Sequence, residues 1–354
     1  MMEGMDESEK KPLYGLTLSE LETLCLELGQ KKFAARQLAE WIYAKNTRDF
    51  SLMSNLSKEF RETLQLHYHL DTAMPGTVHT SVDGTKKYLF PAAGRWVEAA
   101  YIPEEKRATL CLSSQVGCKM GCVFCMTGKQ GFQANLSAGE IVAQVANLPE
   151  RETLTNIVYM GMGEPLDNLE PVLNSVEILT APWGFGFSPN KITISSIGII
   201  PALEEFLKKS KARFALSVHS PFDEERSQLM PVQRVYPLSE VLGSIRKLED
   251  GQKRRLSAEY ILFGGINDTP RHARELVKLF HGLTIRVNLI KFHTLPGTPL
   301  LTCPPERMEA FRDELTSRGI HATIRRSRGE DIYAACGLLS TRELVKKDRD
   351  QQDY

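Results

Sequence analysis

The chain has 354 residues, 42% of them hydrophobic and 25% charged, with 44 basic side chains balanced by 44 acidic ones. That is an ordinary globular composition, long enough for one large domain with an appendage, and zero net charge gives no bulk electrostatic sign of a nucleic-acid partner. No apolar run approaches the roughly 20 residues of a membrane span, and the polar start MMEGMDESEKK has no secretory core, so a cytoplasmic protein is expected.

Taken in chain order, residues 1–12 read as a disordered N-terminus. Residues 13–72 carry helical periodicity in LSELETLCLELG, KKFAARQLAEWIYA and KEFRETLQLHYHL, with Gly29 placed to end a helix. Residues 73–104 alternate around Asp83-Gly84 and predict a short β-hairpin segment. Beyond them strands are expected near 107–113, 155–160, 191–196, 212–218, 256–263 and 284–290. Helices such as SAGEIVAQVANL lie between, that one opened by a Ser137/Glu140 capping box.

This β/α body spans 105–300. A C-terminal α/β segment, 301–345, adds the helix ERMEAFRDELTSRG and a seventh short strand, HATIRR, before a polar tail at 346–354. Repeated β-α units imply a parallel sheet, open or curled into a barrel, with its chemistry at the carboxyl ends of the strands. The basic runs Lys31-Lys32 with Arg36, Lys253-Arg254-Arg255, and Arg325-Arg326 with Arg328 each read as solvated surface.

The seven cysteines, an odd number in a large chain, argue for metal or redox chemistry over a disulfide framework. Three of them, Cys118, Cys122 and Cys125, stand in CKMGCVFC just after the first β/α strand, flanked by Gly117, Gly121, Gly128 and Gly131. A structural zinc would need a fourth ligand, usually from a second cysteine pair, and none is near. An iron–sulfur cube held by three thiolates keeps one iron open to a small molecule.

The C-x3-C-x-F-C spacing with Phe124, its place after a strand and its glycine flanks resemble the radical S-adenosylmethionine (SAM) superfamily. Longer stretches resemble one branch of it, the RlmN/Cfr family of RNA adenine methyltransferases. They are CLSSQVGCKMGCVFCMTGKQGF, YMGMGEPLDN, ISSIGIIP, LSVHSPFDEERSQLMP, RVNLIKFHTLPGTP and SRGEDIYAACG, and they run over nearly the whole chain. The resemblance implies a partial (β/α)6 radical SAM barrel with a small N-terminal helical RNA-binding domain and a short β-hairpin extension.

It also implies a 4Fe–4S cluster on Cys118, Cys122 and Cys125, and two SAM molecules per turnover. Gly163, Glu164, Ser195, Ser217, Val218, His219 and Asn288 are expected around SAM, all at carboxyl ends of strands. Cys336 would carry the methyl group, because adenine carbon 2 is not a nucleophile and a thiolate is. Cys111 would release the covalent RNA adduct by attacking the Cys336 sulfur, leaving a Cys111–Cys336 disulfide. Glu98 is the family's candidate base, although a glutamate in an alternating strand is usually at the surface.

The substrates implied are an adenine in the peptidyl-transferase loop of 23S rRNA and the adenine beside the anticodon of certain tRNAs, flipped out to reach the site. Flavodoxin or ferredoxin would supply electrons, and nothing requires more than a monomer. Two alternatives remain at this stage: a carbon 8 methyltransferase of the same rRNA adenine, as in the antibiotic-resistance branch, and a non-enzymatic RNA-binding protein with a structural metal. Cys25 and Cys303 match no family motif and read as structural.

Overall fold

The fold is described from a computed structural model, over residues 10–248 and 256–340. The first nine residues, the Lys253-Arg254-Arg255 run and the polar tail lie outside that description.

Ten strands form one sheet in which every strand neighbours the next in sequence. They are β1 (Val78–Thr80), β2 (Lys86–Ala92), β3 (Arg95–Glu104), β4 (Arg107–Cys111), β5 (Asn156–Tyr159), β6 (Ile192–Ser196), β7 (Arg213–Ser217), β8 (Leu256–Leu262), β9 (Arg286–Lys291) and β10 (Ala322–Ile324). From β1 to β4 the pairing is antiparallel, and from β4 to β10 it is parallel. Tight turns join the antiparallel part, whereas each parallel step needs a crossover, supplied by helices such as Ala138–Ala146, Leu169–Thr180 and Ile200–Lys209.

The parallel strands are rich in β-branched, aromatic and other apolar residues because both faces are covered. Ile192, Ile194, Phe214, Leu216, Tyr260, Leu262, Val287 and Leu289 are all buried. Burial of this kind stabilises by about 1.5–3 kcal/mol per large side chain. Every strand expected from sequence is present, including the short seventh one of the β/α array. The segment read as a short hairpin does more than turn back: β3 pairs with β4 from Ala100↔Cys111 to Glu104↔Arg107, so the hairpin extends the catalytic sheet itself.

Three helices, Leu18–Glu27, Lys32–Ala39 and Lys58–His67, make the N-terminal module. A Thr17/Glu20 capping box starts the first and Ser57 caps the third. Residues 11 and 12, expected to be disordered, instead pair with Tyr68 and His69. The module shares one continuous apolar core with the sheet. The Tyr43 hydroxyl, fully buried, donates to Leu16 O at 2.7 Å and accepts from Gly15 N at 3.0 Å. Asn46 Nδ2 donates to Ala146 O at 3.2 Å, fastening the module to the helix after the cysteine loop. Lys31, Lys32 and Arg36 are not buried, and Lys32 and Arg36 lie beside Glu22 and Glu40. Among the described residues no helix is long and apolar enough to cross a membrane.

Candidate active site

The cysteine loop leaves the carboxyl end of β4 and is closed by a glycine contact. Gly117 has φ +73°, and a Cβ there would stand 1.7 Å from Gly131 O, so only glycine lets the two arms of the loop touch. Cys125 then precedes a short helix, Met126–Gln130. Burial pushes the Cys118 thiol up to about 12 and the Cys122 thiol well above its ordinary value. Cys125 adds to both shifts, so the three sulfurs share one region of the loop.

Among the described residues no three metal-binding side chains stand close enough to hold a single ion. A cube takes each thiolate on a different iron, so its ligands stand further apart than those of one ion. Three soft sulfurs fit that group and not a hard cation. Its binding would displace the protons that burial otherwise retains on Cys118 and Cys122.

Strand ends on the same side of the sheet carry most of the residues expected around SAM. Gly163, after β5, has φ +103°, and a Cβ there would lie 2.6 Å from Gln115 Cβ. Glu164 is buried and held by Leu166 N at 3.1 Å and Ile197 N at 3.2 Å. Desolvation raises its carboxyl to about 7, partly offset by a hydrogen bond from Ser196. Ser195 lies at the end of β6, and Ser217 ends β7.

Val218 N continues the ladder to Glu259 O at 3.0 Å, and the chain then kinks at His219, φ +59°. The His219 Nδ1 accepts from Ile261 N at 3.0 Å, and its ring meets Phe124 edge-on at 4.8 Å. Burial first, and Arg226 second, depress its pKa to about 3, so the imidazole is neutral. Arg226, itself fully buried, donates to Ser217 O, Val218 O and Ile197 O and locks these strand ends together.

Asn288 departs from expectation. It stands within β9, not at its end, because the strand runs on to Lys291. Its side chain donates to Glu259 Oε1 at 2.7 Å and accepts from Thr323 Oγ1 at 2.9 Å.

Cys336 is exposed in a loop docked against the other parts. Met126 N donates to Gly337 O at 2.8 Å and Thr127 Oγ1 to Leu339 O at 2.7 Å, tying the segment to the helix after Cys125. Ser340 N donates to Glu98 Oε2 at 2.9 Å. Upstream, Ser81 Oγ and Val82 N donate to Asp331, and Gly329 N donates to Asp83. Cys111 packs with Ala334 and Met160 beneath this loop.

Glu98 is only 1% exposed, and its Oε1 lies 3.1 Å from Lys87 Nζ. The surface position that alternation implied is therefore wrong, because the Cys336 loop covers β3. The implied Cys111–Cys336 disulfide is absent: both are free thiols, one buried and one exposed. They are nevertheless close enough for Cys336 to act on Cys111, whose thiol burial first and Cys336 second push up to about 12. Sequence reasoning missed Lys87, Arg226 and Arg325. Each lies in an ordinary polar stretch, and only the fold turns it inward. Cys25 and Cys303 are buried apart from this cluster of residues, Cys303 with its thiol 3.6 Å from Asp268 Oδ2.

A partial β/α barrel with a three-cysteine loop after its first parallel strand defines a radical SAM protein. The model of the radical SAM superfamily matches residues 112–280, and that of the ribosomal RNA large subunit methyltransferase N-terminal domain matches residues 11–70. A crystal structure of a radical SAM methyltransferase from Sphaerobacter thermophilus superposes with a TM-score of 0.85 at 39% identity, covering 93% of this chain and 99% of that one.

A relative from Porphyromonas gingivalis, described as a "probable dual-specificity RNA methyltransferase RlmN", is 53% identical over 96% of this chain and 97% of its own. The dual-specificity RNA methyltransferase RlmN of Syntrophobacter fumaroxidans is 43% identical over 91% of this chain and 96% of its own. The chain belongs to the RlmN family of radical SAM methyltransferases. It is an enzyme, and the non-catalytic alternative falls away.

Proposed function

We propose that this enzyme methylates carbon 2 of adenine in 23S rRNA and in tRNA, with Cys336 as methyl carrier, Cys111 as resolving thiol and Glu98 as base. The observation that carries the reading is the docking of the Cys336 loop onto three parts at once: the cysteine-loop helix through Met126 and Thr127, Glu98 through Ser340, and Cys111 through Ala334. The names of the relatives, dual-specificity RNA methyltransferases, support a substrate range of two RNAs.

Cys118, Cys122 and Cys125 would hold a 4Fe–4S cluster, and Gly163, Glu164, Ser195, Ser217, Val218, His219 and Asn288 would surround SAM. When bound, the pair supplies methyl groups and, on one-electron reduction by a flavodoxin or ferredoxin, the means of removing hydrogen from a methyl group. The protein's own residues do the rest. The exposed Cys336 sulfur accepts the methyl group and presents its carbon to the adenine. Glu98, oriented by Lys87 and by Ser340 N, takes the proton that leaves ring carbon 2.

The Cys111 thiolate then attacks the Cys336 sulfur, so an S–S bond forms as the S–C bond breaks. The carbon keeps the bonding pair and takes up a proton to become the methyl group, and a dithiol reductant restores both cysteines. The Glu164 carboxylate suits the ammonium of SAM's methionine moiety. The helical module would position the RNA through phosphate contacts, and a monomer in the cytoplasm suffices.

Anaerobic reconstitution, followed by SAM-dependent assays on a 23S rRNA fragment and on tRNA with mass spectrometry of the nucleosides, tests the reading. The expected product is 2-methyladenosine in both RNAs. A main product of 8-methyladenosine, or none, overturns it.

A further inference from the structure

We propose that Arg325 is the thiolate-stabilising residue of the Cys111–Cys336 pair, one guanidinium serving both methyl acceptance by Cys336 and adduct release by Cys111. The inference rests on the reading of those two cysteines as carrier and resolving thiol. Arg325 belongs to a basic run that sequence alone assigns to the surface, and in the fold the run splits. Arg326 is exposed, and Arg328 reaches Asp83 Oδ2 at 4.0 Å. Arg325 turns inward just after β10, where its backbone N–H donates to Leu289 O at 2.8 Å.

Its side chain meets Glu259 and Met160. Arg325 Nη1 lies 3.4 Å from Glu259 Oε2 and 3.2 Å from Met160 Sδ. The other Glu259 oxygen is taken by Asn288 Nδ2 at 2.7 Å and Ser257 Oγ at 3.3 Å. Met160 is the link to the thiols, because its side chain packs with Cys111 and Ala334 and its backbone hydrogen-bonds the Cys111 sulfur. The guanidinium therefore lies across Met160 from Cys111 and from the residue two positions before Cys336.

Burial works against the cationic form of Arg325, and Cys336, Glu259 and Cys111, in that order, act against burial. All three favour its cationic form, and Arg325 in turn opposes the burial that raises Cys111. Chemistry needs that charge twice. The sulfur of Cys336 must lose its proton to solvent before it accepts a methyl group, and Cys111 must be a thiolate before it attacks Cys336. Burial holds Cys111 as a thiol at neutral pH, and a nearby cation favours its anion. A guanidinium is suited to this, since it stays charged at a half-buried position where a lysine more readily sheds its proton.

The test is alkylation of holoenzyme by iodoacetamide from about pH 6 to pH 10, with Cys336 quantified by peptide mass spectrometry. Arg325→Gln is expected to raise the apparent pKa of Cys336 by about one unit, making alkylation near pH 7 about tenfold slower. Arg325→Lys should fall between the two profiles, and Glu259→Gln should shift the profile downward by removing the competing carboxylate. Arg326→Gln should leave it unmoved.

In single-turnover methylation the Arg325→Gln deficit should shrink as pH rises toward about 9, which a merely structural lesion would not do. Superimposed alkylation profiles for wild type and Arg325→Gln would overturn the proposal. If that variant does not fold, an unchanged profile in Glu259→Gln overturns it equally. Alkylation needs no RNA, so its failure would leave the methyltransferase reading standing, and loss of RNA methylation would leave the alkylation result intact.

Discussion

The loop from Gly117 to Gly131 buries Cys118 and half-buries Cys122 and Cys125, whereas the loop from Gly329 to Leu339 offers Cys336 to solvent. Both are glycine-rich and they touch through Met126 and Thr127, yet they meet opposite requirements. Desolvation raises the proton affinity of Cys118 and Cys122, so these thiols keep their protons until a metal replaces them, as the proposed cluster site, or receptor loop, requires. An exposed thiol can meet a large substrate, as the proposed carrier role of Cys336 requires. Burial, more than residue type, separates the two kinds of cysteine in this enzyme.

The sharpest break of that contrast removes one cysteine from either side. Cys118→Ala should abolish iron and sulfide incorporation together with all turnover, as read by metal analysis and visible absorbance. Cys336→Ala should retain iron and sulfide at the wild-type level but methylate no RNA and form no covalent complex. Cys111→Ala should form the complex and fail to release it, seen as an RNA-shifted band on a denaturing gel. Normal multiple turnover by Cys111→Ala would remove the release step proposed here.

Next in size is Glu98→Gln, which keeps an acceptor for Ser340 N and loses the base. Product formation should fall by about 10²-fold, and thermal stability should fall as well, because Lys87 loses its buried counter-charge. Gly117→Ala addresses the receptor loop without touching a ligand. Its Cβ would collide with Gly131 O, and its backbone would be strained by about 1–3 kcal/mol. Iron content after reconstitution should drop while the Cys336 alkylation rate stays as in wild type. Equal loss in both would show that the two loops are one unit.

Much of this was legible beforehand because the relevant signals are local. Alternation and capping gave the β/α order, and the cysteine spacing gave the receptor loop. What stayed hidden depends on contacts between residues far apart in the chain. Glu98 reads as a surface residue until Ser340, 242 positions later, folds over it. Arg325 sits in a basic run whose members differ only in which way β10 directs them. From the resemblance Asn288 is expected at a strand end, and only the fold shows its side chain inside β9, between Glu259 and Thr323.

The smallest expected effect concerns stability and tests whether the neutral His219 ring is part of the receptor's frame. Its folded pKa of about 3 lies below the unfolded value near 6.5, so the unfolded chain binds a proton more readily. The stability tied to the neutral ring is therefore fully present above about pH 6.5 and is lost as pH falls toward 3. Over that window His219 should contribute a loss on the order of 1 kcal/mol per pH unit, measured by urea unfolding of the apoprotein. His219→Asn should flatten that part of the slope, since the new residue cannot be protonated, although it gives up the Phe124 edge contact. An unchanged slope would mean that the ring is solvated in the native ensemble, and that Phe124 does not seal the receptor loop against the strand ends.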